Sequence, residues 1–195
     1  LDGKWLVVQR DRKGEENPGL YLQPVAGGPL SLIQHKPGVQ TQMQRLSDDG
    51  RWLYYRANDL KKDSYAIYRH DLAARTTETV FSEDGLWSLA DVAADGTLLL
   101  DKATGALTAE YFTWDPRSRA LTPLLGQNEK EEYDAVWGPT PGTLIVRTNK
   151  PGEFRRLYRF GNGTLTPLSE EVKADVVNFS MDRARTRVVF EVNEG

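Results

Sequence analysis

The sequence contains no cysteine, and only two histidines and two methionines, among 195 residues. Without cysteine there is no disulfide, no thiolate metal site and no thiol nucleophile. That absence suits a reducing cytoplasm and a bacterial periplasm alike, so the compartment stays open. His35 and His70 are the only histidines, which excludes a histidine-rich metal centre and leaves a serine nucleophile two choices of base. A nucleophile elbow Gly-x-Ser-x-Gly is missing too; the nearest string, Gly85-Leu86-Trp87-Ser88-Leu89, lacks the second glycine. The chain therefore reads as having no catalytic residues, metal or cofactor of its own. Apolar runs stay short, Leu98-Leu99-Leu100 being typical, whereas a membrane span needs roughly 20 apolar residues. There is no basic stripe: 25 basic and 28 acidic residues intermingle for a net charge of -3, which argues against a nucleic-acid partner. Helical periodicity is absent, with no window of about a dozen residues carrying apolar positions at i, i+3, i+4 and i+7 between start and stop signals.

What is present is a repeat. Hydrophobic residues at 39% and charged residues at 27% give the balance of a folded chain. The turn Asp2-Gly3 leads into Lys4-Trp5-Leu6-Val7-Val8, and Asp49-Gly50 leads into Arg51-Trp52-Leu53-Tyr54-Tyr55. Asp95-Gly96 before Thr97-Leu98-Leu99-Leu100, and Pro141-Gly142 before Thr143-Leu144-Ile145-Val146, follow at steps of 46 residues. A fifth copy, Arg187-Val188-Val189-Phe190, is preceded by a turn, Asp182 to Thr186, that has lost its glycine and reads as longer. Each full copy then has a second run with a tyrosine, at Tyr21, Tyr68, Tyr111 and Tyr158, spaced 47, 43 and 47 residues apart. Third runs follow at Leu30–Ile33, Thr77–Phe81, Leu121–Leu124 and Leu165–Leu168. One more short run precedes each Asp-Gly-type turn: Thr41–Leu46, Leu86–Val92, Asp134–Trp137 and Val176–Phe179.

Four short β-branched or aromatic runs per unit, divided by Gly, Pro, Asn and Asp, make a four-stranded meander. Asp-Gly fits the tight hairpin between the first two strands, because glycine takes positive φ without steric cost. A repeat of four strands near 46 residues predicts an all-β chain, a β-propeller fragment of antiparallel four-stranded blades. The expected layout is a partial blade over residues 1–35, blades over 41–81, 86–125 and 134–168, and the start of another over 176–195, about four blade equivalents in all. Such a chain starts and stops inside a blade, so the ring is incomplete and two open edges are expected. It begins at Leu1 without a methionine or a basic-then-apolar leader, and the expectation is a piece of a longer protein.

Two propeller families are set aside by their motifs. Trp114-Asp115 is the one Trp-Asp pair, where WD-type blades repeat it, and Ser47-Asp48-Asp49-Gly50-Arg51-Trp52 has the wrong spacing for a sialidase-type Asp box. The blade instead resembles those of TolB-type and prolyl oligopeptidase-type propellers, in which Ser-Pro-Asp-Gly-Lys opens an apolar strand, followed by Leu-Tyr and Leu-Thr. Ser47-Asp48-Asp49-Gly50-Arg51-Trp52 and Asp2-Gly3-Lys4-Trp5 carry the likeness, although the proline is missing from every copy. The string Arg187-Val188-Val189-Phe190-Glu191-Val192-Asn193-Glu194-Gly195 is similar to a propeller strand of prolyl oligopeptidase family serine peptidases. That resemblance implies a propeller that caps an α/β-hydrolase domain of the same polypeptide and gates which peptides reach its serine. The catalytic half is then expected after Gly195. The alternative it implies is a TolB-type binding scaffold with no chemistry.

Among single residues, the acidic cluster Glu129, Glu131, Glu132 and Asp134 leads into an inner strand. Dipeptidyl-type relatives hold a substrate amino terminus with propeller glutamates, so the resemblance nominates Glu131 and Glu132 as substrate-binding residues. A solvated acidic loop is the alternative. His35, in a Pro- and Gly-rich loop, and His70, in a third strand, read as structural. Trp5, Trp52, Trp87, Trp114 and Trp137 read as packing residues between sheets. Asn162-Gly163-Thr164 and Asn178-Phe179-Ser180 match a glycosylation acceptor pattern too common to support an inference.

Overall fold

The computed structural model describes residues 3–194; Asp2 of the first turn and Gly195 lie outside the described residues. Seventeen strands follow one another with no helix among the described residues, and therefore none long and apolar enough to cross a membrane. β1 (Trp5–Arg10), β2 (Gly19–Pro24) and β3 (Ser31–Gln34) form a three-stranded sheet. β4 (Thr41–Leu46), β5 (Trp52–Lys61), β6 (Ser64–Asp71) and β7 (Thr76–Phe81) form the first four-stranded sheet, in chain order. β8 (Trp87–Val92), β9 (Leu98–Ala103), β10 (Ala109–Asp115) and β11 (Ala120–Leu125) form the second. β12 (Tyr133–Trp137), β13 (Leu144–Thr148), β14 (Arg156–Gly161) and β15 (Thr164–Pro167) form the third. β16 (Asp175–Met181) and β17 (Val188–Asn193) pair as a hairpin. Within their own sheets β1 and β17 are edge strands.

The hairpin glycines do what their sequence context demands. Gly50, Gly96 and Gly142 have φ of 71°, 89° and 77°, the left-handed region where a Cβ is costly. In the fifth hairpin Arg185 stands at that position with φ 55°. Its closing bond, Asp182 N–H to Arg187 C=O, spans the same number of residues as Ser47 N–H to Trp52 C=O. The turn has lost its glycine, as read from the sequence, but it is no longer than the Ser47 hairpin. Asp182 Oδ1 accepts from the amides of Thr186 and Arg187 at 2.7 and 2.9 Å and holds the glycine-free loop.

The tyrosine repeat hides one register change. Val8, Tyr55 and Val146 lie opposite Tyr21, Tyr68 and Tyr158. In the sheet of β8–β11, however, Leu100 lies opposite Phe112, and Tyr111 faces Asp101. Side chains alternate across a strand, so a one-residue offset sends Tyr111 to the other face. There its hydroxyl accepts from Ala135 N–H at 3.2 Å. The offset takes one residue from the step before Tyr111, which at 43 residues is shorter than the 47 on either side.

Residues 1–89 and 90–195 make two compact units, each with its own core. In the first, Leu20, Tyr55, Ala57, Ala66 and Tyr68 cluster under Val7, Ile33 and Val39, and Tyr55 stacks on Tyr68 at 5.1 Å. In the second, Leu99, Tyr111, Leu125, Tyr133 and Ala135 continue into Trp137, Leu144, Val146 and Phe160. Ile145, Leu157 and Val176 form a further patch in the same unit. Inner strands bury alternate residues, Tyr133, Ala135 and Trp137 in β12 and Trp87, Leu89 and Asp91 in β8, as the two-residue period requires.

Candidate functional site

The loop from Leu125 to Tyr133 carries the nominated glutamates past the β13–β14 turn and the start of β16. Three of the four acidic residues have basic partners there. Glu129 takes Lys150 Nζ at 2.5 Å and the Tyr133 hydroxyl. Burial alone would raise the Glu129 carboxyl, but the bonds from Lys150 and Tyr133 outweigh it and hold its pKa below the usual value. Glu132 Oε2 meets Arg155 Nη1 at 3.3 Å, while Arg155 Nη2 lies 3.0 Å from Asp175 Oδ2. The Glu132 amide also donates to Asn149 Oδ1 at 3.0 Å. Arg155 is thus shared by two carboxylates, and its own pKa is pushed up, chiefly by the bond to Asp175. Asp134 pairs with Arg147 Nη2 at 3.3 Å. Desolvation nonetheless raises the Asp134 pKa, because Arg147 only partly offsets it.

Glu131 is different. Its Oε2 accepts the Lys130 amide at 3.1 Å, and among the described residues it has no ion pair. The structure therefore separates the two nominated glutamates: Glu132 is tied into an ion-pair network, and Glu131 offers a half-buried carboxylate with spare acceptor capacity. Such a group can hold an ammonium.

The histidines lie elsewhere, His35 just after β3 and His70 in β6. His35 Nδ1 is 2.5 Å from the Tyr21 hydroxyl, which also accepts from Arg12 Nε and Nη2 at 3.2 and 3.1 Å. Tyr21 has a single proton and receives two bonds from Arg12, so it donates to Nδ1. His70 Nδ1 is 2.8 Å from Thr77 Oγ1, and burial followed by the nearby Arg75 charge lowers its pKa. Ser88, of the near-miss elbow, accepts from Arg56. Among the described residues no group of three or more His, Asp and Glu is arranged to hold a metal ion. The tryptophans divide. Trp87, Trp114 and Trp137 are buried, whereas Trp52 is half-buried between the guanidiniums of Arg51 and Arg69 at 4.6 and 4.4 Å. Trp5 is 42% exposed with Arg75 over its ring, so it is not a packing residue.

Sequence reasoning missed a buried ion pair. Asp91, at the end of β8, is fully buried against Arg185, beside a pocket of about 430 Å³ lined by Ala93, Trp137, Pro139 and Pro141. It also missed the caps of two turns. Asp71 Oδ1 accepts the amides of Ala73 and Ala74, and Asp115 Oδ1 that of Arg117, each pair of turn ends closed by an arginine at positive φ, Arg75 and Arg119. The string Asp-x-x-x-Arg, at 71–75 and 115–119, was the available signal.

No protein-family model matches the sequence, and no curated protein matches it. Solved structures do. TolB from Acinetobacter baumannii superposes with a TM-score of 0.72 at 18% identity, covering 96% of this chain and 46% of that one. Prolyl oligopeptidase B from Galerina marginata, bound to a 35mer hydrolysis and macrocyclization substrate, gives 0.69 at 13% identity over 97% of this chain and 28% of the other. The β-propeller domain of the Trilobed protease from Pyrococcus furiosus gives 0.59 at 12% identity, covering 100% and 77%. The chain has the fold of part of a β-propeller, similar to portions of TolB and of prolyl oligopeptidase B, and it spans less than half the length of those two neighbours.

Proposed function

We propose that this propeller segment is the non-catalytic part of a prolyl oligopeptidase-type serine peptidase, gating peptides toward an α/β-hydrolase domain of the same polypeptide. The observation that carries the reading is the pairing of the histidines. Each uses Nδ1 on a neighbouring hydroxyl, Tyr21 or Thr77, rather than on a serine among the described residues, which supports placing the hydrolytic chemistry in an adjoining domain. The likeness to propeller portions of prolyl oligopeptidases over nearly the whole chain supports the assignment of that chemistry to an adjoining domain. Within the segment, Glu131 is the group suited to a substrate ammonium, with Glu132 positioned by Arg155 beside it.

Labelling the native polypeptide with a fluorophosphonate tests the reading: a labelled serine outside these 195 residues is expected. Absence of any labelled serine in the native polypeptide overturns it in favour of a second reading, a TolB-type protein-binding scaffold, which the likeness to TolB supports. In a labelled enzyme, Glu131→Gln should raise KM for peptides with a free amino terminus and leave KM for blocked peptides unchanged. Equal KM values for both would remove Glu131 from the site.

A further inference from the structure

The turn between the third and fourth strands differs chemically among the complete sheets. Between β6 and β7, Asp71 accepts the Ala74 amide at 2.9 Å, a bond that holds its pKa low, and the amide that follows it, that of Leu72, is bound to Arg51 C=O at 3.0 Å. Between β10 and β11, Asp115 is held ionised in the same way by the Arg117 amide, and the residue after it is Pro116, which has no N–H. Between β14 and β15 the turn is Asn162-Gly163, the one Asn-Gly in the sequence. Gly161 pairs with Thr164, so the loop has two residues, and Asn162 and Gly163 take φ of 51° and 75°, as a twist-matched hairpin requires.

Asn162 and Gly163 are exposed, and among the described residues neither the Asn162 side-chain amide nor the Gly163 main-chain N–H has a hydrogen-bond partner. Gly163 carries no Cβ to obstruct its nitrogen, and nothing lies within 4 Å of where one would be. Other glycines follow acidic residues without this combination. The Ser47 hydroxyl and the Thr97 amide hold Asp49 and Asp95 ionised, and a carboxylate resists attack at carbon. Asp84 is bound by Lys61, and the Gly85 amide donates to Ser64 Oγ at 3.0 Å. The β14–β15 end is also easily opened: three of the four residues of β15 are exposed, and Leu165 alone packs on the core of its unit.

We propose that Asn162-Gly163 is a self-modification site, at which the chain deamidates through a cyclic imide when β15 opens. Gly163 N gives its proton to hydroxide and bonds to Asn162 Cγ; the Cγ–Nδ2 bond breaks and ammonia leaves. Water then opens the imide at one of its two carbonyls. Opening at Cγ leaves aspartate, and opening at the main-chain carbon leaves isoaspartate, whose backbone runs through Cγ and is one carbon longer. Either product adds a negative charge. The longer backbone does not fit a two-residue loop with Gly161 opposite Thr164, so the isoaspartyl form releases β15 from β14. This chemistry is independent of the hydrolase reading and of Glu131.

The test incubates the full chain in mildly alkaline buffer and follows intact mass, peptide fragmentation and labelling by an isoaspartyl methyltransferase. Conversion of one amide to one carboxyl at Asn162, with methyl acceptance at that residue and a rate that rises with pH, is expected. Asn162→Gly keeps a residue suited to positive φ and should lose both signals without a lower unfolding midpoint. Leu165→Ala should speed conversion by at least about threefold by loosening β15. In the isoaspartyl fraction, amide-exchange protection should fall in β15 and persist in β13. Any of four results overturns the proposal: no conversion at Asn162 while the free peptide Arg159–Thr166 converts in the same buffer, conversion that persists in Asn162→Gly, an unchanged rate in Leu165→Ala, or unchanged protection of β15 after conversion.

Discussion

Asp91 and Arg185, 94 residues apart, form a two-point ion pair with Nη1 on Oδ2 at 2.6 Å and Nη2 on Oδ1 at 3.0 Å. The same guanidinium donates to Trp137 C=O at 2.8 Å and Val92 C=O at 3.2 Å, and the Trp137 amide donates to Asp91 Oδ2 at 2.9 Å. One contact set therefore binds the ends of β8 and β12 to the turn between β16 and β17. Arg185 occupies the glycine position of the hairpin at positive φ, so this contact set has to outweigh a local backbone cost.

Removing either partner leaves a buried charge uncompensated. Asp91→Ala or Arg185→Ala should therefore destabilise the chain by about 3–5 kcal/mol, read as a lower urea midpoint at constant m. Arg185→Lys should recover only part of the loss, since an ammonium cannot reproduce a fork to a carboxylate and two carbonyls. The double alanine variant should cost less than the sum of the singles, and strict additivity would show that the pair is not coupled.

Gly19 is constrained by contact rather than by φ. A Cβ there would collide with both Cβ and Cγ of His35, whose ring is held by Tyr21. Gly19→Ala should therefore lower stability by about 1–3 kcal/mol through overpacking. His35→Ala in the same chain should restore much of that loss in thermal unfolding. Failure of the rescue would place the strain elsewhere.

The sequence made the strands legible because each hairpin announces itself locally. Gly50, Gly96 and Gly142 sit in turns that need positive φ, and the two-residue alternation shows directly in runs such as Tyr133–Trp137. The register of Tyr111 was not legible, since a tyrosine looks the same on either face and only pairing with Leu100 or Asp101 tells which it takes. Nor was the Asp91–Arg185 pair: nothing local distinguishes Asp91 from a surface aspartate, and its partner is 94 residues away. At the candidate site the acidic cluster could be found by composition. Which member stays unpaired depends on Lys150, Arg155 and Arg147 arriving from later turns and strands.

Asp59 predicts part of the acid response. Burial would raise its carboxyl, but Lys36 Nζ at 2.7 Å and the Tyr68 hydroxyl at 2.5 Å outweigh that and hold its pKa below 3.8. A depressed folded pKa stabilises above the unfolded value and loses that contribution as pH falls through the folded one. Asp59→Asn should therefore be less stable than wild type at neutral pH, with the gap closing as the pH drops below about 4. Thermal midpoints of both chains across that range measure it. A gap that widened in acid would mean that Asp59 is not held in its ionised form.

The edge of β17 gives the last prediction. Val189 and Phe190 of β17 are 68% and 37% exposed, and among the described residues β17 pairs with β16 alone. An exposed, apolar edge strand is a template for pairing with other chains, and a lysine there blunts it. Because Val189 already faces solvent, Val189→Lys should leave the unfolding midpoint within about 0.5 kcal/mol of wild type. The same change should reduce concentration-dependent light scattering, since a charge on β17 interferes with intermolecular pairing but removes no internal contact of consequence. Scattering unchanged by Val189→Lys would mean that self-association does not run through β17.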